Sequence, residues 1–331
     1  MRRILSIVMC LVVVVAAIAA YALRGGGEQT REAGLLALRH GDYAAAFEQL
    51  ESHLAEKPDD AATRQILADA YVQQQLFGKA VDHYAVLSES SAGDLSLRRK
   101  LAAAALSAGR DGLAEDILKD LWESQPQDFG VNLALGELYF KTGRAADAIP
   151  FIETCIAQRP QRAQSYLLLA DALDAANRDQ EMIAPLKTCI RLEPDNAVAH
   201  ANLAHAYQAA GHSTDAIVEA EWCLHRNPDL TSVRLILAKA QRDSGEFDAA
   251  LQNAEHILAA EPSNLDAALL AAELLFFQGK GESVFDRLIG FYDAHKNSRP
   301  LINQLMRAAA ARQDREAMEK FRTELERLLA Q

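Results

Sequence analysis

The chain has 331 residues, a formal net charge of −12, half of its residues hydrophobic and only 6% aromatic. Its 46 acidic and 34 basic residues are interleaved, leaving no basic stripe with stacking aromatics and arguing against nucleic acid as a partner. No stretch alternates apolar and polar residues as a half-buried strand would, so the chain reads as all-α.

Residues 4–23 form a continuous uncharged, almost wholly apolar run, preceded by Arg2 and Arg3 and followed by Arg24 and three glycines. As a helix, about 20 residues span a bilayer core of roughly 30 Å. The excess of positive charge ahead of the run predicts a cytoplasmic N-terminus and transfer of the remainder across the membrane. Residues 1–26 therefore read as a membrane anchor with a short flexible glycine joint. The alternative is a signal peptide cleaved near Ala17-Ile18-Ala19 or Ala20-Tyr21-Ala22. The expected location is a bacterial cytoplasmic (inner) membrane, single-pass, with the rest of the chain on the periplasmic side. Under the alternative, that part is periplasmic or secreted.

Beyond the joint, six of the nine prolines fall on a 34-residue grid: Pro58, Pro126, Pro160, Pro194, Pro228 and Pro262. Gly41, Gly109, Gly143, Gly211, Gly245 and Gly279 keep the same period, each seventeen places before a grid point. Where the grid calls for another glycine the chain has Asn177, which also tolerates the left-handed conformation that ends a helix. The pattern predicts two helices and two turns per block. The blocks are 27–60, 61–94, 95–128, 129–162, 163–196, 197–230, 231–264, 265–298 and 299–331, the last as a cap. Five places after the glycine or its substitute comes a small residue, at Ala46, Ala80, Ala114, Ala148, Ala216 and Ala250, which lets helix backbones approach closely. Places seven and eight are apolar and small, as in Leu67-Ala68 and Leu203-Ala204. Tyr71, Tyr139 and Tyr207 follow on the same face.

This spacing resembles the tetratricopeptide repeat, over residues 27–331. The family's Trp at place four is absent, replaced by residues such as Arg64, Asn132, His200 and Arg234. The resemblance implies a right-handed superhelix of about nine helix pairs, whose first helices line a groove that binds protein or peptide segments without chemistry or cofactor of its own. It also implies that places two, five, nine, twelve and thirteen face the groove. The candidate wall is then Asp69, Val72, Glu137, Phe140, Asp171, Asp174, His205, Lys239, Arg242, Glu273, Phe276 and Phe277. Such a wall suits a segment with basic and hydrophobic residues, anchored at Phe140, Phe276 and Phe277. One subclass grips a terminal carboxylate with Lys or Arg at place five and Asn at place nine. Here Arg31 and Arg99 are followed by Leu35 and Ala103, so that clamp is missing.

Cys155, Cys189 and Cys223 hold one equivalent place in three successive blocks, which predicts buried small hydrophobes rather than bridges. His200, His205, His212 and His225 lack metal-ligand spacing and read as solvated or groove-lining. Pro150 and Pro185 fall inside second helices, where each removes a backbone hydrogen bond and predicts a local bend. Residues 315–329 predict an amphipathic last helix with Met318, Phe321, Leu325 and Leu328 on one side. No nucleophile motif, phosphate-cradling loop or metal pair appears. The expected function is a membrane-tethered interaction scaffold, or alternatively an accessory subunit of an envelope enzyme or biogenesis machine serving cell wall, secretion or cytochrome maturation.

Overall fold

A computed structural model describes residues 28–91 and 93–330. The apolar run at 4–23 lies outside the described residues, and none of the described helices is long and apolar enough to cross a membrane. Among the described residues there are eighteen α-helices and no strands, divided after Thr142 into two compact units.

The first unit comprises α1 (28–40), α2 (Tyr43–Glu56), α3 (Ala61–Gln73), α4 (Phe77–Ser90), α5 (Leu95–Ser107), α6 (Asp111–Ser124) and α7 (Phe129–Lys141). The second comprises α8 (Ala145–Gln158), α9 (Ala163–Ala175), α10 (Asp179–Leu192), α11 (Ala197–Ala209), α12 (Ser213–Arg226), α13 (Thr231–Asp243), α14 (Phe247–Ala260), α15 (Leu265–Phe277), α16 (Val284–Leu288), α17 (Arg299–Ala311) and α18 (Arg315–Leu329). Within each unit successive helices pack on one another, and in the second unit α11, α13, α15 and α17 also lie side by side.

The small residues of the pattern sit at these contacts. Ala46, Ala80, Ala114, Ala148, Ala216 and Ala250 are all fully buried, as are Leu67 and Leu135 at place seven. Burial of each such leucine contributes about 2 kcal/mol of transfer free energy. Tyr71, Tyr139 and Tyr207 are buried beside them.

Each first helix ends in a left-handed residue, because the chain must reverse within three positions. The six grid glycines have φ between 70° and 82°, and the same conformation is imposed on Gln75 (58°), Asn177 (56°) and Gln313 (59°). The bonds are those of a Schellman cap: Gly41 N donates to Leu38 O at 3.1 Å and Asp42 N to Ala37 O at 3.0 Å, with the pattern repeated at Gln75-Leu76 and Gln313-Asp314. A Cβ at φ > 0 is strained, so Gln75→Gly and Gln313→Gly are each expected to stabilise the fold by about 0.5–1 kcal/mol. Urea unfolding of the two variants checks this; a loss of stability would mean that the glutamine side chains hold the turns.

Two further places carry the turn between blocks. Place 34 supplies the N-cap of the next first helix: Asp60, Asp128, Asn196 and Asn264 each accept from the backbone N–H three residues on. Place four explains the missing tryptophan, because its side chains donate to the carbonyl of the grid proline six residues back. Arg64 donates to Pro58 O at 2.6 Å, Asn132 to Pro126 O at 2.8 Å, Tyr166 to Pro160 O at 3.1 Å and Arg234 to Pro228 O at 2.6 Å. A carbonyl left over by the turn is thereby satisfied.

α8 and α10 run on through Pro150 and Pro185, so one lost bond ends neither helix. The eighth block departs from the expected helix pair. Its second helix is broken into a 3-10 turn (Gly281–Ser283), the five-residue α16 and another 3-10 turn (Ile289–Phe291). The reason is local: the small residue of the other blocks is replaced by Val284, fully buried, and Gly290 lies where a helix interior would run. At Gly281 a Cβ would come within 2.6 Å of the Phe276 ring, so a larger residue could not begin that helix.

Candidate binding wall

The exposed faces of the first helices carry charges that mostly neutralise one another. Asp69 on α3 accepts from Lys100 Nζ on α5 at 2.7 and 3.0 Å, and from the Tyr84 hydroxyl. Asp171 on α9 accepts from Asn202 Nδ2 on α11 at 3.0 Å. Asp174 faces His205 Nδ1 at 3.6 Å, and Arg242 on α13 donates to Glu273 on α15 at 2.9 Å and to Asp243 at 2.9 Å. In each of these cross-helix pairs the partners are 31 residues apart, which joins place nine to the next block's place six, or place twelve to its place nine. Burial pushes the Asp171 carboxyl above the ordinary range, with Asp174 adding to it and the Asn202 hydrogen bond opposing.

Of the other expected wall residues in the first unit, Glu137 is exposed, while Val72 and Phe140 are half-buried. Beside α5 and α7 lies an apolar crevice of about 200 Å³ lined by Ala103, Leu106, Leu118 and Val131. Arg99, at place five, is held by Asp128 at 2.7 Å.

In the second unit Phe276 and Phe277 part company. Phe276 is packed against the core under α15 and carries the Arg307 guanidinium over its ring at 4.5 Å, so it serves packing rather than as an exposed anchor. Phe277 is 61% exposed and stacks on Phe247 with ring centroids 5.1 Å apart. Lys239, Arg242 and Glu273 converge with Asn303, Gln304 and Arg307 of α17 on a cavity of about 360 Å³. The α17 residues were missed in the sequence, although the same places carried into the ninth block would have found Asn303 and Arg307.

The histidine reading needs correction at one position. His200 is buried, because it holds place four: Nε2 donates to Pro194 O at 3.0 Å, Nδ1 meets Glu219 at 2.5 Å, and the ring stacks on Trp222 at 3.6 Å. His205 stays half-exposed, and His212 and His225 are exposed at the two ends of α12. Among the described residues no group of three or more His, Cys, Asp or Glu could hold a metal ion.

Family models of the tetratricopeptide repeat match residues 31–94, 105–171, 163–196 and 186–218, together more than half of the chain. The chain belongs to the tetratricopeptide repeat family. A solved tetratricopeptide repeat-containing protein from Cytophaga hutchinsonii, represented by its C-terminal part, is 15% identical, with 72% of this chain and 97% of that one covered at a TM-score of 0.56. A tetratricopeptide repeat protein from Parabacteroides merdae is 14% identical over 76% of this chain and 99% of its own, at a TM-score of 0.47. Among curated proteins, none matches the chain. Stacked tetratricopeptide repeats are scaffolds for protein–protein interaction, and their first-helix faces supply the extended binding surface. The cysteines fit the repeat core: Cys155, Cys189 and Cys223 are buried, and burial pushes the Cys189 thiol up and that of Cys223 to about 11.

Proposed function

We propose that the protein is a membrane-tethered scaffold that captures peptide or protein segments on its first-helix wall, on the outer side of the cytoplasmic membrane. The observation that carries the binding reading is the cavity across α13, α15 and α17, which opens at the places where tetratricopeptide repeats present their first-helix faces. The tether rests on the apolar run at 4–23 and the arginines flanking it.

Membrane fractionation with protease protection tests the tether. Protein that sediments with membranes and is cleaved only after the outer envelope is opened supports it, and repeats still shielded from external protease once that envelope is opened overturn it. Crosslinking of the intact protein then separates a scaffold, which retains many substoichiometric partners, from an accessory subunit with one stoichiometric enzyme.

The wall has its own test. Phe140→Ala combined with Phe277→Ala is expected to lower partner capture at least 10-fold, while Val218→Glu on α12, 59% exposed, leaves it unchanged. Capture that survives the phenylalanine changes and is lost with Val218→Glu moves the binding face to the second helices.

A further inference from the structure

Two cations in the α13–α15–α17 cavity have no carboxylate. Several wall charges are answered from a position 31 residues away, as Arg242 answers Glu273 and Lys100 answers Asp69. For Lys239 that position holds Leu270, and the ammonium has no hydrogen-bond or ion-pair partner among the described residues. For Arg307 the corresponding position is Phe276, whose ring lies under the guanidinium at 4.5 Å, and its one hydrogen bond is a long 3.4 Å contact with Gln304. The stack fixes the guanidinium without neutralising it.

The cavity's acids do not fill the gap. Glu273 is engaged by Arg242 at 2.9 Å, and Asp266 is exposed in the first turn of α15, where the helix N-terminus favours its charge. Lys239, Arg242 and Arg307 therefore face two carboxylates in a cavity that adds the exposed amide of Asn303. Arg242 is shared between Glu273 and Asp243, so the cations of this cavity left without a carboxylate are Lys239 and Arg307, in a chain whose net charge is −12.

Resting on the reading of the first-helix face as the binding wall, we propose that this cavity receives the side-chain carboxylate of an Asp or Glu in the partner segment, bound between Lys239 and Arg307. The cavity lies open across three first helices, so a segment crossing it presents side chains to it. The carboxylate answers both cations at once, and Arg307 is pre-oriented to receive it. Selectivity at this end of the wall is thus for acidic segments, the reverse of the basic segment that the acids of α3, α7 and α9 suggest on composition alone.

The test is selection of random dodecapeptides, displayed with their C-termini fused to the carrier so that only side chains offer carboxylates, against the full-length protein and its Lys239→Gln/Arg307→Gln variant. Selected peptides are expected to be enriched in Asp and Glu at least twofold over the library. Synthetic copies are expected to bind the wild type at least 10-fold more tightly than the variant, and than their own Asn/Gln counterparts do, with affinity falling as salt rises. Acid-poor selections, acidic selections indifferent to the variant, or no selection at all overturn the proposal. Acid-poor peptides lost on Phe140→Ala/Phe277→Ala would leave the wall standing while the acidic preference falls; peptides insensitive to both variants remove both. Circular dichroism and melting confirm folding, and Lys239→Gln alone, at a residue with no partner to lose, provides the second variant.

Discussion

Phe321→Ala is expected to cost about 3–5 kcal/mol, and to spend that loss on the C-terminal end of the chain rather than on the whole. Phe321 on α18 is fully buried, in edge-to-face contact with Tyr292 at 5.3 Å and tilted against Phe285 at 6.2 Å. Around it stand Val284, Leu288, Leu301, Ile302 and Leu305, all fully buried. This cluster is the attachment of the broken eighth block. α16 has five residues and few backbone bonds of its own, so its position depends on side-chain packing. Removal of the ring takes away the largest fully buried side chain in that packing and leaves a cavity that short irregular segments fill poorly.

Stability in a repeat array is a sum of repeat and neighbour terms, so hydrogen exchange should rise first across 281–329 while α3 to α6 keep wild-type protection. Phe321→Leu is expected to cost less, about 1–1.5 kcal/mol, since it keeps most of the volume. Equal loss of protection along the whole chain would show that the array unfolds as one cooperative body and that the cluster is not a separate end.

Much of this architecture was legible in the sequence because a repeat states each rule many times. A glycine every 34 residues fixed the ends of the first helices, and Asn177 could be placed in the same conformation because neighbouring blocks showed what was required there. α18 has the bounds read from its amphipathic pattern, and the cysteines are buried where the period put them. The eighth block shows the limit. Gly281, Val284 and Gly290 are visible in the sequence, but their joint effect depends on the distance between Phe276 and the start of the next helix, which no period encodes.

The wall was legible as a set of places and not as a set of charges. Asp69 and Asp171 read as free acids, yet Lys100 and Asn202 meet them from the next block. The 31-residue spacing is a property of how neighbouring first helices lie side by side, so it appears only once the helices are packed. It separates engaged charges from available ones, and it turns attention from α3 and α9 to Lys239 and Arg307. Place four is similar: arginine, asparagine, tyrosine and histidine side chains share one task, donation to a prolyl carbonyl, which residue type alone conceals.

Asp60→Ala is expected to destabilise the first unit by about 2–4 kcal/mol, combining a lost helix cap with a buried ring left short of a partner. Asp60 Oδ1 caps α3 by accepting from Thr63 N at 3.0 Å, while Oδ2 accepts from the Thr63 hydroxyl at 2.7 Å and from His53 Nε2 at 2.9 Å. Arg31 on α1 donates to Thr63 Oγ1 at 2.7 Å and stands 3.5 Å from Oδ2. His53 is fully buried at the end of α2, so one carboxylate ties three helices together. Burial alone would raise the Asp60 pKa, but the Thr63 hydrogen bonds, followed by those from His53 and the charge of Arg31, hold it well below the usual carboxylate range. The unfolded chain therefore binds a proton more readily than the folded one. The stability that Asp60 contributes is fully present above about pH 4, the ordinary aspartate value, and is lost as pH falls through the depressed folded value. Glu51, lowered by its Tyr71 and Lys79 partners against the effect of burial, adds acid sensitivity of the same sign, so the comparison must be between variants. Urea unfolding followed by hydrogen exchange within α2 and α3 should show wild type and Asp60→Asn converging below pH 4 and separating above it. A constant difference across that range would assign the contribution of Asp60 to geometry alone, with no part for its charge.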